Sequence, residues 1–271
     1  MSETHHHDPA GRRDYLSIQH LERYRFALER LEKSMRVLDI ACGAGYGTAM
    51  LLARGCDVTG VDCDEPTLAA ARRQWGEQHF LQGDALSLPL DDESFDAVVT
   101  FETIEHVADG DAFLTEMKRV LRPGGLLLCS TPNIRYTSHP AMHIKEYRPD
   151  EFYTLLERHF EQVERLGQYI CRRDWLKKAA MDNLWQPSYR VARRVMDVLG
   201  VGRRSNSAAV AQGPPSPPAG PEDGTVSLAD DPRVKRLVTR QEGDDFYAVG
   251  PLHGQRWLRI MVAAGVKGER A

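Results

Sequence analysis

The stretch RVLDIACGAGYG, residues 36–47, decides the fold. Its first part is a short apolar run, which between turn signals reads as a buried strand. Gly43, Gly45 and Gly47 then follow at two-residue spacing before a helical pattern. Glycine lets the backbone turn through positive φ and lets another group approach the main chain closely. The stretch therefore reads as a strand, a tight turn and the start of a helix.

Downstream the same grammar repeats. YGTAMLLARG (46–55) is a helix closed by Gly55, DVTGVD (57–62) a second strand, and Pro66 opens a helix that runs through Trp75. QHFLQGDA (78–85) supplies a third strand and a turn, and FDAVVTFE (95–102) a fourth that is apolar almost throughout, hence central and covered on both faces. A helix from Asp111 to Leu121 stops at Arg122-Pro123-Gly124-Gly125, and GLLLCSTP (125–132) is a fifth strand. PDEFYTLLERHF begins a helix at Pro149, and 160–170 reads as a sixth strand. Alternating strands and helices give a mostly parallel sheet with helices on both faces.

The flanks are less regular. Residues 1–16 read as a flexible N-terminus in which His5–His7 have no better role than a floppy end. Residues 17–33 carry apolar positions at helical spacing and are placed over the mouth of the sheet. The region 171–199 reads as a helical cap or insertion whose Trp175, Trp185 and Tyr189 either line an apolar acceptor pocket or, the favoured reading, bury the helix or a dimer contact. Residues 200–232, rich in Gly, Pro, Ser and Ala, read as a disordered insertion. Strand-like patterns return at 245–250 and 256–266, the last closing the sheet, with antiparallel pairing at its edge allowed.

Composition narrows the partners. A net charge of −4 and a pI near 6.2 give no global attraction for nucleic acid or an anionic membrane. Five cysteines, none in a CxxC pair, read as reduced thiols. No apolar run approaches the roughly 20 residues of a spanning helix, and the polar start is no signal peptide. The expectation is a cytoplasmic domain acting on a small-molecule acceptor, without membrane or nucleic-acid partners and with a homodimer allowed.

The chemistry gathers at the strand ends. Asp39 lies at the end of the first strand and Asp62 ends the second, 23 residues later. In an open parallel sheet both carboxylates sit by the crevice at the carboxyl ends of adjacent strands. An acid at the second position suits the two hydroxyls of a ribose. A carboxylate beside the turn repels a pyrophosphate and attracts an ammonium, which favours an amino-acid-bearing nucleoside over a dinucleotide. Asp84, in GDA after the third strand, is placed to accept from an adenine amino group, or simply to cap its turn.

VLDIACGAGYG, VTGVDCDE, FLQGDALSLPLDDESFDAVVTFETIEHV and FLTEMKRVLRPGGLLLCSTPN together resemble the class I S-adenosylmethionine-dependent methyltransferases over residues 36–133. The resemblance implies a Rossmann-like, doubly wound α/β fold with a mostly parallel seven-stranded sheet, and S-adenosyl-L-methionine as cofactor. It places Asp39, Gly43 and Gly45 around the methionine moiety, Asp62 at the ribose and Asp84 with Ala85 at the adenine, and Ala41, Cys63 and Phe101 complete the cofactor-binding set. Ala41 stands where many relatives have glycine. Tyr15, His20, Arg23 and Tyr24 of the preceding helix are candidates to touch or cover the cofactor.

For the acceptor, His106 just past the fourth strand is the first candidate base and His143 the second, with Glu102 and Glu105 placed to orient a histidine or the substrate. O-methylation of a sugar, polysaccharide end or secondary metabolite is the expected class, with amine methylation left open. Glu102, Glu105, His106 and His143 also form a possible divalent-metal set. That pattern looks like the one in small-RNA 3′-terminal 2′-O-methyltransferases. A non-catalytic binding module in the same fold is the rival that these acids and glycines argue against.

Overall fold

A computed structural model describes residues 15–135, 143–169, 227–239, 249–252 and 258–268. All of them belong to a unit assembled from 1–169 and 220–271. The expected helical cap at 171–199, most of the insertion at 200–232, His5–His7 and Cys171 lie outside the described residues.

The chain enters through α1 (Tyr15–Arg30), so residues 15 and 16 are helical where a flexible end was expected. The order is then β1 (Arg36–Ile40), α2 (Tyr46–Arg54), β2 (Asp57–Asp62), α3 (Glu65–Trp75), β3 (Phe80–Gln82), β4 (Phe95–Phe101), α4 (Gly110–Val120) and β5 (Leu121–Pro132). It continues with α5 (Pro149–Glu157), β6 (Gln162–Tyr169), α6 (Pro232–Val238), β7 (Gly250–Pro251) and β8 (Leu258–Val266). The sheet runs β3-β2-β1-β4-β5-β8-β6-β7, with β1 to β5 parallel and β6, β7 and β8 joined antiparallel.

Alternation along the central strands builds two cores. Val37, Ala97, Val99, Leu128 and Val262 face α1, α2, α3 and α6, while Leu38, Val98, Leu127, Met261 and Ala263 face α4 and α5. Apolar side chains on both faces are what a doubly covered sheet requires.

The sequence expectations change in three places. The sheet has eight strands rather than seven, and β8 lies inside it between β5 and β6 instead of closing an edge. Strand order is set by non-local pairing, which a local pattern does not encode. Second, β5 starts at Leu121, opposite Phe95, and Arg122–Gly125 form a bulge before Leu126 pairs with Ala97. Third, the end of the expected disordered stretch is ordered. A short 3-10 turn (Leu228–Asp230) and α6 pack on α1 and α2, burying Val234 and Leu237.

That last element explains α1, whose residues 21–27 are all buried although they include Glu22, Arg23 and Arg25. Arg25 pairs with Glu22 and donates to the carbonyls of Leu237 (2.8 Å) and Thr239 (2.9 Å). Buried charge is tolerated where it is paired and hydrogen-bonded.

Candidate active site

After β3 the chain crosses to the opposite side of β1 to lay down β4, so β1 and β4 flank the topological switch point. Ligands of open α/β sheets bind beyond the carboxyl ends of the strands at such a point. Both strands leave the sheet through a left-handed residue that is not glycine, Ala41 (φ 57°) after β1 and Glu102 (φ 59°) after β4. Such conformations are costly and cluster at functional sites.

One wall of the crevice is the glycine turn. Asp39 is wholly buried beneath it, not lining the open crevice, and its side chain runs between α1 and α2. Tyr24 donates to Asp39 Oδ1 (3.0 Å) and Thr48 to Oδ2 (2.7 Å). Burial raises the Asp39 pKa to about 7, the two donated hydrogen bonds pull it back, and the neighbouring Asp62 adds a smaller upward push. A buried acid poised in this way responds strongly to a cation placed near it.

Gly47 makes that arrangement possible, since a Cβ there would stand 2.0 Å from the Tyr24 ring. Gly43 takes φ 52° and has open space where a Cβ would be. Its N–H donates to Asp62 Oδ2 (2.8 Å), while Asp64 N–H donates to Asp62 Oδ1 (3.0 Å), so Asp62 ties the turn to the end of β2. Cys63 is exposed beside it, with its carbonyl accepting from Gln82 (3.2 Å). Asp84 is exposed and takes the Leu86 N–H on Oδ1 (2.9 Å), the turn-capping role. Ala85 is half-buried next to it and Leu86 remains 36 % exposed. The turn, its open space and the acid at the β2 end fit an adenosyl amino acid.

Three supports of this wall escaped the sequence reading. Thr48 looks like any helix residue until Asp39 is placed against it. Trp75 Nε1 donates to the Ala44 carbonyl (3.0 Å), holding the glycine turn from α3. Arg233 of α6, clamped by Asp231, stacks over the Trp75 ring at 4.9 Å. Of the α1 candidates, Tyr24 reaches Asp39, His20 meets the Tyr46 hydroxyl (3.1 Å), and Arg23 donates to Gln168 on β6 (2.7 Å). The Tyr15 side chain lies outside the described residues.

The other wall follows β4. Phe101 is buried and meets Tyr24 edge to face at 5.2 Å, so it supports the turn from below. Glu102 accepts from Ser130 (3.1 Å) and lies 3.9 Å from Arg23. Next comes a 3-10 turn, Ile104–His106. Glu105 is 1 % exposed and takes the Thr131 hydroxyl on Oε2 (2.9 Å), while Oε1 has no partner. Burial, with the neighbouring Glu102 second, raises the Glu105 pKa well above the ordinary carboxylate range.

His106 is exposed on this turn, and His143 meets it edge to face with ring centroids 4.9 Å apart. The Glu105 carbonyl accepts the N–H groups of Ile144 (2.9 Å) and Lys145 (3.1 Å), which staples the His143 segment to the turn. Donor atoms of Glu105, His106 and His143 lie within 4.8 Å of one another. The structure thus gathers three of the four residues in the candidate metal set, and Glu102 turns instead to Ser130 and Arg23.

Known proteins resemble the chain in sequence and in fold. Residues 38–129 match a family described as a methyltransferase domain. A Mycolicibacterium smegmatis protein named "Probable S-adenosylmethionine-dependent methyltransferase" is 40% identical over 141 residues, 49% of this chain and 54% of that protein. A ubiquinone biosynthesis O-methyltransferase of Cereibacter sphaeroides is 33% identical over 167 residues, 53% of this chain and 67% of that protein. A Thermotoga maritima crystal structure, described as an S-adenosylmethionine-dependent methyltransferase and possible histamine N-methyltransferase, shares the fold. Its TM-score is 0.54 at 15% identity, with 93% of each chain covered. The chain belongs to the S-adenosylmethionine-dependent methyltransferase family. It spans about half the length of the first relatives it matches.

Proposed function

We propose that the chain transfers a methyl group from S-adenosylmethionine to a hydroxyl of a small-molecule acceptor. The observation that carries this reading is the Glu105, His106 and His143 cluster on the β4 wall, across the switch point from the glycine turn. The ubiquinone biosynthesis O-methyltransferases among the relatives, 32–42% identical over part of the chain, support oxygen as the acceptor atom. When bound, the cofactor supplies a sulfonium methyl: its carbon–sulfur bond breaks with the pair left on sulfur, a carbon–oxygen bond forms, and the hydroxyl proton departs.

The residues divide that work. Asp39, buried and raised to about 7, is the counter-charge for the cationic amino-acid end. Asp62, at the end of β2, receives the ribose, and Ala85 with Leu86 flanks the base. Glu105, His106 and His143 prepare the hydroxyl, and the proton leaves past the exposed His106. Positioning and a prepared nucleophile are the terms a methyl transfer needs.

The test uses pure protein, labelled cofactor and matched panels of phenols, sugars and amines. Methyl incorporation into a hydroxyl compound is expected, with His106→Ala lowering kcat by about 100-fold or more and leaving cofactor affinity unchanged. Labelling confined to amines, or an unaltered kcat in the variant, contradicts the proposal.

A further inference from the structure

We infer that Glu105, His106 and His143 form a binding site for one divalent transition-metal ion of the zinc or cobalt type. The inference rests on the proposed acceptor site and specifies how that site prepares a hydroxyl. Three observations converge on it. The donor atoms come from two chain segments and lie within 4.8 Å of one another, close enough for one ion to reach all three after small side-chain adjustments. The Glu105 side chain is buried, yet one of its two oxygens has no partner. A buried carboxylate oxygen without a donor is costly, and a cation satisfies it.

The third observation is the orientation of His143. Its Nδ1 lies 3.2 Å from Glu146 Oε1, and both side chains are about nine-tenths buried. A carboxylate on Nδ1 keeps the proton there and leaves the Nε2 lone pair for a ligand, as outer carboxylates do for metal-bound histidines. Thr131 plays the matching part for Glu105 by holding Oε2. The backbone bonds from Ile144 and Lys145 to the Glu105 carbonyl fix the two segments in register.

Two imidazoles and one carboxylate suit zinc, cobalt or iron(II) better than magnesium or calcium, which prefer oxygen. Three protein ligands leave positions open for an outside oxygen, as catalytic metal sites do. An acceptor hydroxyl entering there loses its proton more readily, which is what methylation at oxygen requires.

The experiment uses the full chain with His5, His6 and His7 changed to alanine, to remove competing imidazoles, after dialysis against a chelator. Cobalt chloride is titrated in calorimetry and visible absorption, zinc chloride then competes, and a separate S-adenosylmethionine titration reports an intact fold. One equivalent of cobalt should bind, with an absorption band that zinc abolishes. His106→Ala, at an exposed position that folding tolerates, and His143→Ala should each weaken binding by about 100-fold or more, and Glu146→Gln by about tenfold. His159→Ala, on a histidine that pairs with Asp111 instead, should leave it unchanged. Absence of stoichiometric binding, or equal affinity in His106→Ala, overturns the inference. Because no acceptor is present, the result stands apart from the methyl-transfer test.

Discussion

The two walls of the crevice are built to different standards of completeness. On the glycine side Asp39 and Asp62 each use both carboxylate oxygens, on Tyr24, Thr48 and the backbone of Gly43 and Asp64. On the β4 side Thr100, Thr103, Glu105 and Tyr147 each bury a polar atom with no partner, among the described residues. Buried polar groups are nearly always satisfied, so the exceptions mark where something else is meant to bind or to happen. The acids at the glycine turn are thus fully hydrogen-bonded, whereas the β4 side, like Gln19 and Arg23 on α1, keeps buried polar atoms without a partner among the described residues.

A change that deforms the finished wall should have the largest effect. Gly47→Ala drives a Cβ into the Tyr24 ring, which must move and release Asp39. Overpacking of this kind costs about 1–3 kcal/mol. A thermal melt should fall by several degrees and S-adenosylmethionine affinity should drop with it. An unchanged melt would show that Tyr24 is not needed to complete the wall.

Trp75→Phe is a finer cut, since it keeps the ring under Arg233 and removes only the hydrogen bond to Ala44. A single neutral hydrogen bond is worth about 1 kcal/mol, so cofactor affinity should weaken about fivefold with kcat unchanged. A fall in kcat alone would instead tie Trp75 to the acceptor wall.

The smallest effect belongs to Ala41. Its left-handed φ costs a non-glycine residue about 1 kcal/mol, and part of that is returned by the extra freedom glycine has when unfolded. Ala41→Gly should raise the melting temperature by a few degrees at most and leave binding alone. A loss of stability would mean that the Ala41 methyl packs usefully in the turn.

Legibility in the sequence follows the same division. Asp39, Gly43 and Asp62 were readable because a strand, a turn and a strand end are local patterns, each fixed within a few residues. Their supports were not: Thr48 and Trp75 are meaningful only once α2 and α3 fold against the turn. The burial of Glu22 and Arg25 on α1 was not legible, because α6, whose end supplies the carbonyls that Arg25 meets, comes some 200 residues later in the chain. His106 was readable from its distance to β4, and His143 from its place after β5. Their meeting, and the departure of Glu102 toward Arg23, depend on tertiary docking that no spacing records. The position of β8 inside the sheet was hidden for the same reason.

In the proposed function, the buried acid under the glycine turn is the counter-charge for the cationic end of the cofactor. Calorimetric titration of S-adenosylmethionine between pH 5.5 and 7.5, in the native chain and in Asp39→Asn, reads that role. Asp39, raised to about 7 by burial, holds a proton below that pH and must give it up before it can face a cation. Affinity in the native chain should therefore rise by up to about tenfold per pH unit toward pH 7 and then level off. The variant should bind more weakly near neutrality and show no such rise. A flat profile in the native chain, or the same slope in Asp39→Asn, would rule out Asp39 as that counter-charge.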